Sequence, residues 1–201
     1  STGSYAAPGS AGAAVVRVTD ALGQTSNAAV TINAALVISP GSANVLPNES
    51  IGFSASNGAP PYVYSVQAGG GSVNSSSGIY TAPGAPGSAT VRVTDSLSNT
   101  SDSVVAIIPP VVISPSSVTL AVNNSVGFSA SGGLPPYGYT VPSGGGSVNP
   151  GTGAYTAPGT AGSAMVRVTD ALGQTSDAAI TINPALAISP LNSDVVRSGS
   201  L

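Results

Sequence analysis

The same string of residues returns every 75 positions. Ile38-Ser39-Pro40 recurs as Ile113-Ser114-Pro115 and as Ile188-Ser189-Pro190, and Val16-Arg17-Val18-Thr19-Asp20 recurs at 91–95 and 166–170. Tyr5, Tyr80 and Tyr155 each lead into an Ala-Pro-Gly in the same register. Aligning 35–109 with 110–184 gives about 44 identities in 75 positions without a gap. A fixed period of this length marks a duplicated structural unit, so the chain is to be read one unit at a time. Residues 1–34 correspond to the last 34 positions of a unit and 185–201 to the first 17. A 75-residue unit can enclose its own core, whereas a 34-residue piece cannot. The expected organisation is therefore 1–34 as the C-terminal part of a repeat, 35–109 and 110–184 as complete repeats, and 185–201 as the N-terminal part of the next. With no initiator Met and no signal peptide, the sequence is expected to be a window on a longer array. Residues 1–34 match 151–184 at about 25 of 34 positions but 76–109 at about 18, which suggests that two unit types alternate.

Within a unit the pattern is that of strands. The chain has 26 Gly and 17 Pro, residues unfavourable inside helices, yet 41 % of it is hydrophobic and 5 % charged. Ser50–Ser56 alternates, placing Ile51, Phe53 and Ala55 on one face; Tyr62, Tyr64 and Val66 do the same. Ala89, Val91 and Val93 point inward from the strongest strand, and Ser103, Val105 and Ile107 from its return. With Val37–Ser39, Ser72–Asn74 and Gly78–Thr81, this gives about seven short strands separated by Gly/Pro/Asn turns, the pattern of an all-β sandwich.

Gly58-Ala59-Pro60-Pro61-Tyr62-Val63-Tyr64-Ser65-Val66, Gly78-Ile79-Tyr80 and Val91-Arg92-Val93-Thr94-Asp95 resemble the bacterial immunoglobulin-like and cadherin-like repeats of large surface proteins. The second copy keeps the pattern with Pro135-Pro136-Tyr137-Gly138-Tyr139, Gly153-Ala154-Tyr155 and Val166–Asp170. The resemblance implies immunoglobulin-like sandwiches in an end-to-end array and an extracellular, adhesive or stalk-like protein. The Cys pair and core Trp of antibody domains are missing, so only the architecture carries over.

The composition excludes most chemistry. Without Cys or His there is no disulfide, no imidazole base and no cysteine-based zinc site. Without Lys there is no Schiff base, phosphate-loop lysine or Lys–Asn cross-link. Four dispersed arginines in a chain of net charge −3 make no face for nucleic acid. The run Val104–Ile113, broken by Pro109 and Pro110, is too short to span a bilayer. Abundant serines have no base to activate them, and carboxylates copied at structural positions of every unit do not suit catalysis. Neither an enzyme nor a cofactor is expected.

Several residues invite sharper readings. Asp95 and Asp170 suit calcium less well than they suit a turn held by backbone N–H donors, since calcium takes six to eight oxygens and each unit is poor in acids. Gly69–Gly71 and Gly144–Gly146 are expected to be hairpin turns, and Tyr64 and Tyr139 core residues. Tyr62 and Tyr137, beside prolines at a domain end, are the candidates for contact with a neighbour. Strand parity sets Arg92 opposite Asp102 and Arg167 opposite Asp177, while Arg17 faces Asn27. The expected function is a structural shaft of a bacterial cell-surface adhesin or extracellular filament, whose partners are neighbouring repeats of the same or identical chains. Proline at 109 and 110 is expected to make the junction between units short and stiff. A module binding carbohydrate (surface glycans) or a host-surface protein, and a phage fibre or decoration domain, are the alternatives.

Overall fold

A computed structural model describes residues 3–187, so Ile188-Ser189-Pro190, Arg197 and the greater part of segment 185–201 lie outside the described residues. The chain divides into two compact units, Ser1–Pro109 and Pro110–Leu201. Every regular element among the described residues is a strand. In the first unit, β1 (Gly12–Thr19) and β2 (Thr25–Ile32) form a two-stranded antiparallel ribbon. There follow β3 (Val37–Ser39), β4 (Ser42–Val45), β5 (Ser50–Gly52), β6 (Ser54–Ser56), β7 (Val63–Ala68), β8 (Ser72–Val73), β9 (Ile79–Thr81), β10 (Gly87–Thr94) and β11 (Thr100–Ile107). The second unit repeats them as β12 (Val112–Ser114), β13 (Ser117–Ala121), β14 (Ser125–Gly127), β15 (Ser129–Ser131), β16 (Gly138–Ser143), β17 (Ser147–Val148), β18 (Ala154–Thr156), β19 (Gly162–Thr169) and β20 (Thr175–Asn183).

Each set of nine strands makes a sandwich. One sheet runs β4-β11-β10-β7 in the first unit and β13-β20-β19-β16 in the second. The other layer is split into β3-β6 with β5-β9-β8, and into β12-β15 with β14-β18-β17. Alternation on the long hairpin is clean: Val91, Val93 and Val105 are 0 % exposed, as are Val166 and Val168. They pack with Ile38, Phe53, Tyr64 and Tyr80 in one core and with Ile113, Phe128, Tyr139 and Tyr155 in the other. Burying each such side chain contributes about 1.5–3 kcal/mol, which is why two-residue periodicity decides the strand faces.

Two features depart from the sequence reading. The stretch Ser50–Ser56 is not one strand but two, because the chain changes partner at Phe53. β5 pairs with β9 while β6 pairs with β3, and between them the Phe53 N–H donates to the Gly78 carbonyl at 2.9 Å. The inward parity of Ile51, Phe53 and Ala55 survives, since all three join the core. β4 and β13 are strands beyond those the alternation marks. After Pro40 and Pro115 the leading segment leaves β6 or β15 and runs parallel to the last strand, β4 along β11 and β13 along β20. These two differences turn about seven expected strands into nine.

The ribbon β1–β2 has the register of β10–β11 without the rest of the sandwich. Val16 and Val18, equivalent to the fully buried Val91 and Val93, are 39 % and 66 % exposed.

Candidate functional site

Asp95 and Asp170 end the strongest strands, and each closes a turn while holding a second loop. Asp95 Oδ1 accepts from the N–H groups of Leu97 (3.0 Å) and Asn99 (2.8 Å). Its Oδ2 accepts from the Ala59 N–H (2.9 Å) and the Asn99 side-chain amide (3.0 Å). Asp170 repeats the set with Leu172, Gln174, Leu134 and the Gln174 side chain at 2.8–3.0 Å. A carboxylate offers about four lone-pair sites, so both are filled by the protein's own donors. The loop reaches the carboxylate only because a glycine precedes it. Gly58 has φ +61° and a Cβ there would lie 2.7 Å from Asp95 Oδ2; Gly133 is alike at φ +58°. The Asn99 amide, then the N–H donors of Ala59, Asn99 and Leu97, outweigh burial and hold the Asp95 carboxyl below its usual pKa. For Asp170 burial is the largest influence and pushes upward, but the four donors together prevail and its pKa is lowered. Asp20, at the equivalent place in the ribbon, holds only its own turn, through the N–H groups of Leu22 and Gln24.

The arginines lie on the outer face of the long hairpin. Arg92 stands opposite Asp102 in the register and meets it with two parallel hydrogen bonds, Nε to Oδ1 and Nη2 to Oδ2, each 2.7 Å. Arg167 and Asp177 form the same fork at 2.7 Å. The hydrogen bond from Arg92 lowers the Asp102 pKa and raises that of the guanidinium, and Arg167 acts alike on Asp177. Arg17 donates from Nε to Asn27 Oδ1 at 2.9 Å. These pairs are half-exposed, so they reinforce register and add little stability.

Tyr62 and Tyr137 are half-buried, with their rings against the cores. The Tyr62 hydroxyl donates to the Asn57 carbonyl at 2.6 Å, and that of Tyr137 to the Gly132 carbonyl. Both hydroxyls are thus spent on the loop that precedes their own strand. Sequence reasoning missed a third tie: the buried Tyr80 and Tyr155 hydroxyls donate to the Gly70 and Gly145 carbonyls at 2.7 and 2.6 Å. The tyrosines and glycine runs recur at a constant separation of ten residues, which is the signal that could have found it. Among the described residues no three acidic side chains come together to hold a metal ion, and no helix is long and apolar enough to cross a membrane.

No family model matches the sequence, and no curated protein matches it. Similarity appears at the level of structure. The C-terminal 282-residue fragment of intimin, solved in complex with the intimin-binding domain of the translocated intimin receptor, superposes with a TM-score of 0.54 at 15 % identity. That match covers 75 % of this chain and 64 % of the intimin fragment. The fold is an immunoglobulin-like β-sandwich. Weaker overlaps are found with cadherin domains 1–4 of protocadherin gamma B7 (TM-score 0.34, 13 % identity, 81 % of this chain and 54 % of that one) and the four N-terminal immunoglobulin domains of Dscam1 (0.38, 11 %, 85 % and 54 %). The chain spans between half and two thirds of the length of these structures.

Proposed function

We propose that this immunoglobulin-like chain is a structural segment, the shaft of a long bacterial cell-surface adhesin or extracellular filament. The observation that carries the reading is the repetition of an entire physical design. In both complete units the core is closed from equivalent positions 75 apart, the loop is tied by an aspartate, and the long hairpin carries an Arg–Asp fork. A site for one ligand needs no such copying, whereas a spacer gains length with every copy and stability from each unit and its interfaces. In this reading 35–109 and 110–184 are whole repeats, 1–34 and 185–201 belong to flanking ones, and the partners are neighbouring repeats outside the cell. Pro109 and Pro110 restrict the backbone where one repeat passes to the next.

The second reading, a module that itself binds a host protein or glycan, draws on the intimin fragment having been solved with its receptor. Against a glycan platform stand the half-buried rings of Tyr62 and Tyr137 and their committed hydroxyls. Solution scattering and a glycan-binding screen on the 201-residue protein separate the two. The shaft predicts an elongated particle and no saturable binding; a folded-back particle, or saturable binding at micromolar affinity, would defeat it.

A further inference from the structure

In each complete unit the leading segment lies parallel to the last strand of the same unit, Ser42–Val45 along Val104–Ile107 and Ser117–Ala121 along Ala179–Asn183. Parallel pairing of first and last strands fixes how a unit meets tension. A pull on the chain draws β4 or β13 backwards by its N-terminal end and β11 or β20 forwards by its C-terminal end. The bonds between them are evenly spaced along the strands, so they are loaded in shear and share the load. An antiparallel hairpin pulled at its two ends opens one bond at a time. The approach to each ladder is the same in both units. β3 pairs with β6 and β12 with β15 over three residues, and the Ile38 and Ile113 N–H groups donate to Ser101 and Ser176 Oγ at 3.2 and 3.1 Å.

The ladders themselves differ. In the first unit the pairing ends where the Ile108 N–H donates to the Val45 carbonyl at 2.9 Å. In the second it runs on, because β20 reaches Asn183 and the Val122 N–H donates to the Asn183 carbonyl at 3.1 Å. The residue equivalent to Val122 is Pro47, which has no N–H to give. At the other end the Ala179 N–H donates to the Ser116 carbonyl at 3.0 Å, a bond that the equivalent Val104 and Gly41 do not make. Val118, Leu120 and Val122 also pack against the second core, where the first unit has Ala43, Val45 and Pro47. We propose that the two units are graded tension latches, in which 35–109 yields at a lower force than 110–184, with Pro47 in place of Val122 as a determinant of the difference. A unit of 75 residues released from its fold extends by roughly 250–270 Å less its folded length, so yielding of the first spares the second. The proposal rests on the shaft reading, since only a segment under load uses it, and adds to that reading which unit lengthens first.

The test is single-molecule pulling of the 201-residue protein through cysteines added at its two ends, the chain having none of its own. Two unfolding events are expected, of equal length gain and unequal force. Pro47→Val is expected to raise the weaker event and leave the stronger alone; Val122→Pro is expected to lower the stronger and leave the weaker alone. The net worth of one hydrogen bond corresponds to about a 2- to 10-fold change in the unfolding rate at a given force. Each substitution has its precedent in the other unit, at the same place in a turn closed by the Glu49 N–H on the Leu46 carbonyl or the Asn124 N–H on the Ala121 carbonyl, so both variants keep the fold. Urea unfolding separates the ladder from general stability. Proline at a compatible position restricts the unfolded chain, so Val122→Pro is expected to cost far more in unfolding rate under load than in equilibrium stability. Two events of equal force, a variant that leaves its own unit's event unchanged, or one that moves the other unit's event overturns the proposal. Solution scattering judges the shaft without reference to force, so failure of the graded latch alone leaves that reading standing.

Discussion

Ser103 is the most informative single atom to remove. It points inward from β11, is 0 % exposed, and its Oγ has no hydrogen-bond partner in the protein. The equivalent residue of the second unit is Ala178, also 0 % exposed, and that of the ribbon is Ala28. Taking a hydroxyl out of water without a partner costs about 1–3 kcal/mol on protein scales. Deleting one oxygen forfeits a few dispersion contacts of about 0.1–0.2 kcal/mol each, so the two effects do not cancel. Ser103→Ala is therefore expected to stabilise the first unit by about 1 kcal/mol, which corresponds to a rise in Tm of about 4–8 °C for a domain of this size. The reciprocal change, Ala178→Ser, places the same hydroxyl in an equally closed site and is expected to lower the second unit by a similar amount. Urea unfolding of the full chain, with the units followed separately by hydrogen exchange, reads both changes. A loss of stability in Ser103→Ala would refute the reasoning, because it would mean that the hydroxyl makes a bond inside the core.

Three further outcomes are expected. Asp95 and Asp170 have lowered pKa values, so their stabilisation is fully present above the ordinary carboxylate pKa of about 4 and fades as pH falls through the folded values. An acid titration monitored by circular dichroism should show this, and Asp170→Asn should weaken the second unit by about 1.5–3 kcal/mol at neutral pH while flattening its acid limb, since an amide donor then faces the Leu134 N–H. Gly146→Ala forces a side chain onto a residue at φ +93° and against the Thr156 carbonyl and Tyr155 hydroxyl; a fall of at least about 2 kcal/mol is expected in urea unfolding, and an unchanged midpoint would count against the turn geometry. In a dilute monomer, amides of residues 14–32 should exchange far faster than those of β10 and β11, because the ribbon lacks the sandwich around it; equal protection by mass spectrometry would contradict that.

What could be read from the sequence was whatever a period of two and a period of 75 determine. The pairing of Arg92 with Asp102 followed from which face Val91, Val93 and Val105 occupy, and one register step either way would have turned every valine to solvent. The aspartate turns were legible because Asp95 and Asp170 each end a strong strand where a carboxylate can accept the N–H groups of the turn. The reach of those carboxylates to Ala59 and Leu134 was not, because it depends on how loops 36 residues apart meet across the end of the sandwich. The split at Phe53 was hidden because both halves keep one parity while changing partners. Ser42-Ala43-Asn44-Val45 carries little β-propensity, and its strand exists because β11 offers an edge, a tertiary cause invisible to a local reading. Tyr62 and Tyr137 were singled out by their place beside prolines; that their hydroxyls donate to the loop before them depends on how that loop folds back, which no local pattern shows.

The saturation of Asp95 and Asp170 by amide donors has a consequence for where such a protein can work. A loop closed by a bound cation is only as firm as the supply of that cation, and it slackens wherever a chelator or an acidic polymer competes for it. Here the carboxylate oxygens are occupied by neutral main-chain and side-chain amide donors, present at fixed stoichiometry and impossible to wash out. The rigidity of these loops is thus set when the chain is translated and does not vary with the hardness of the surrounding water.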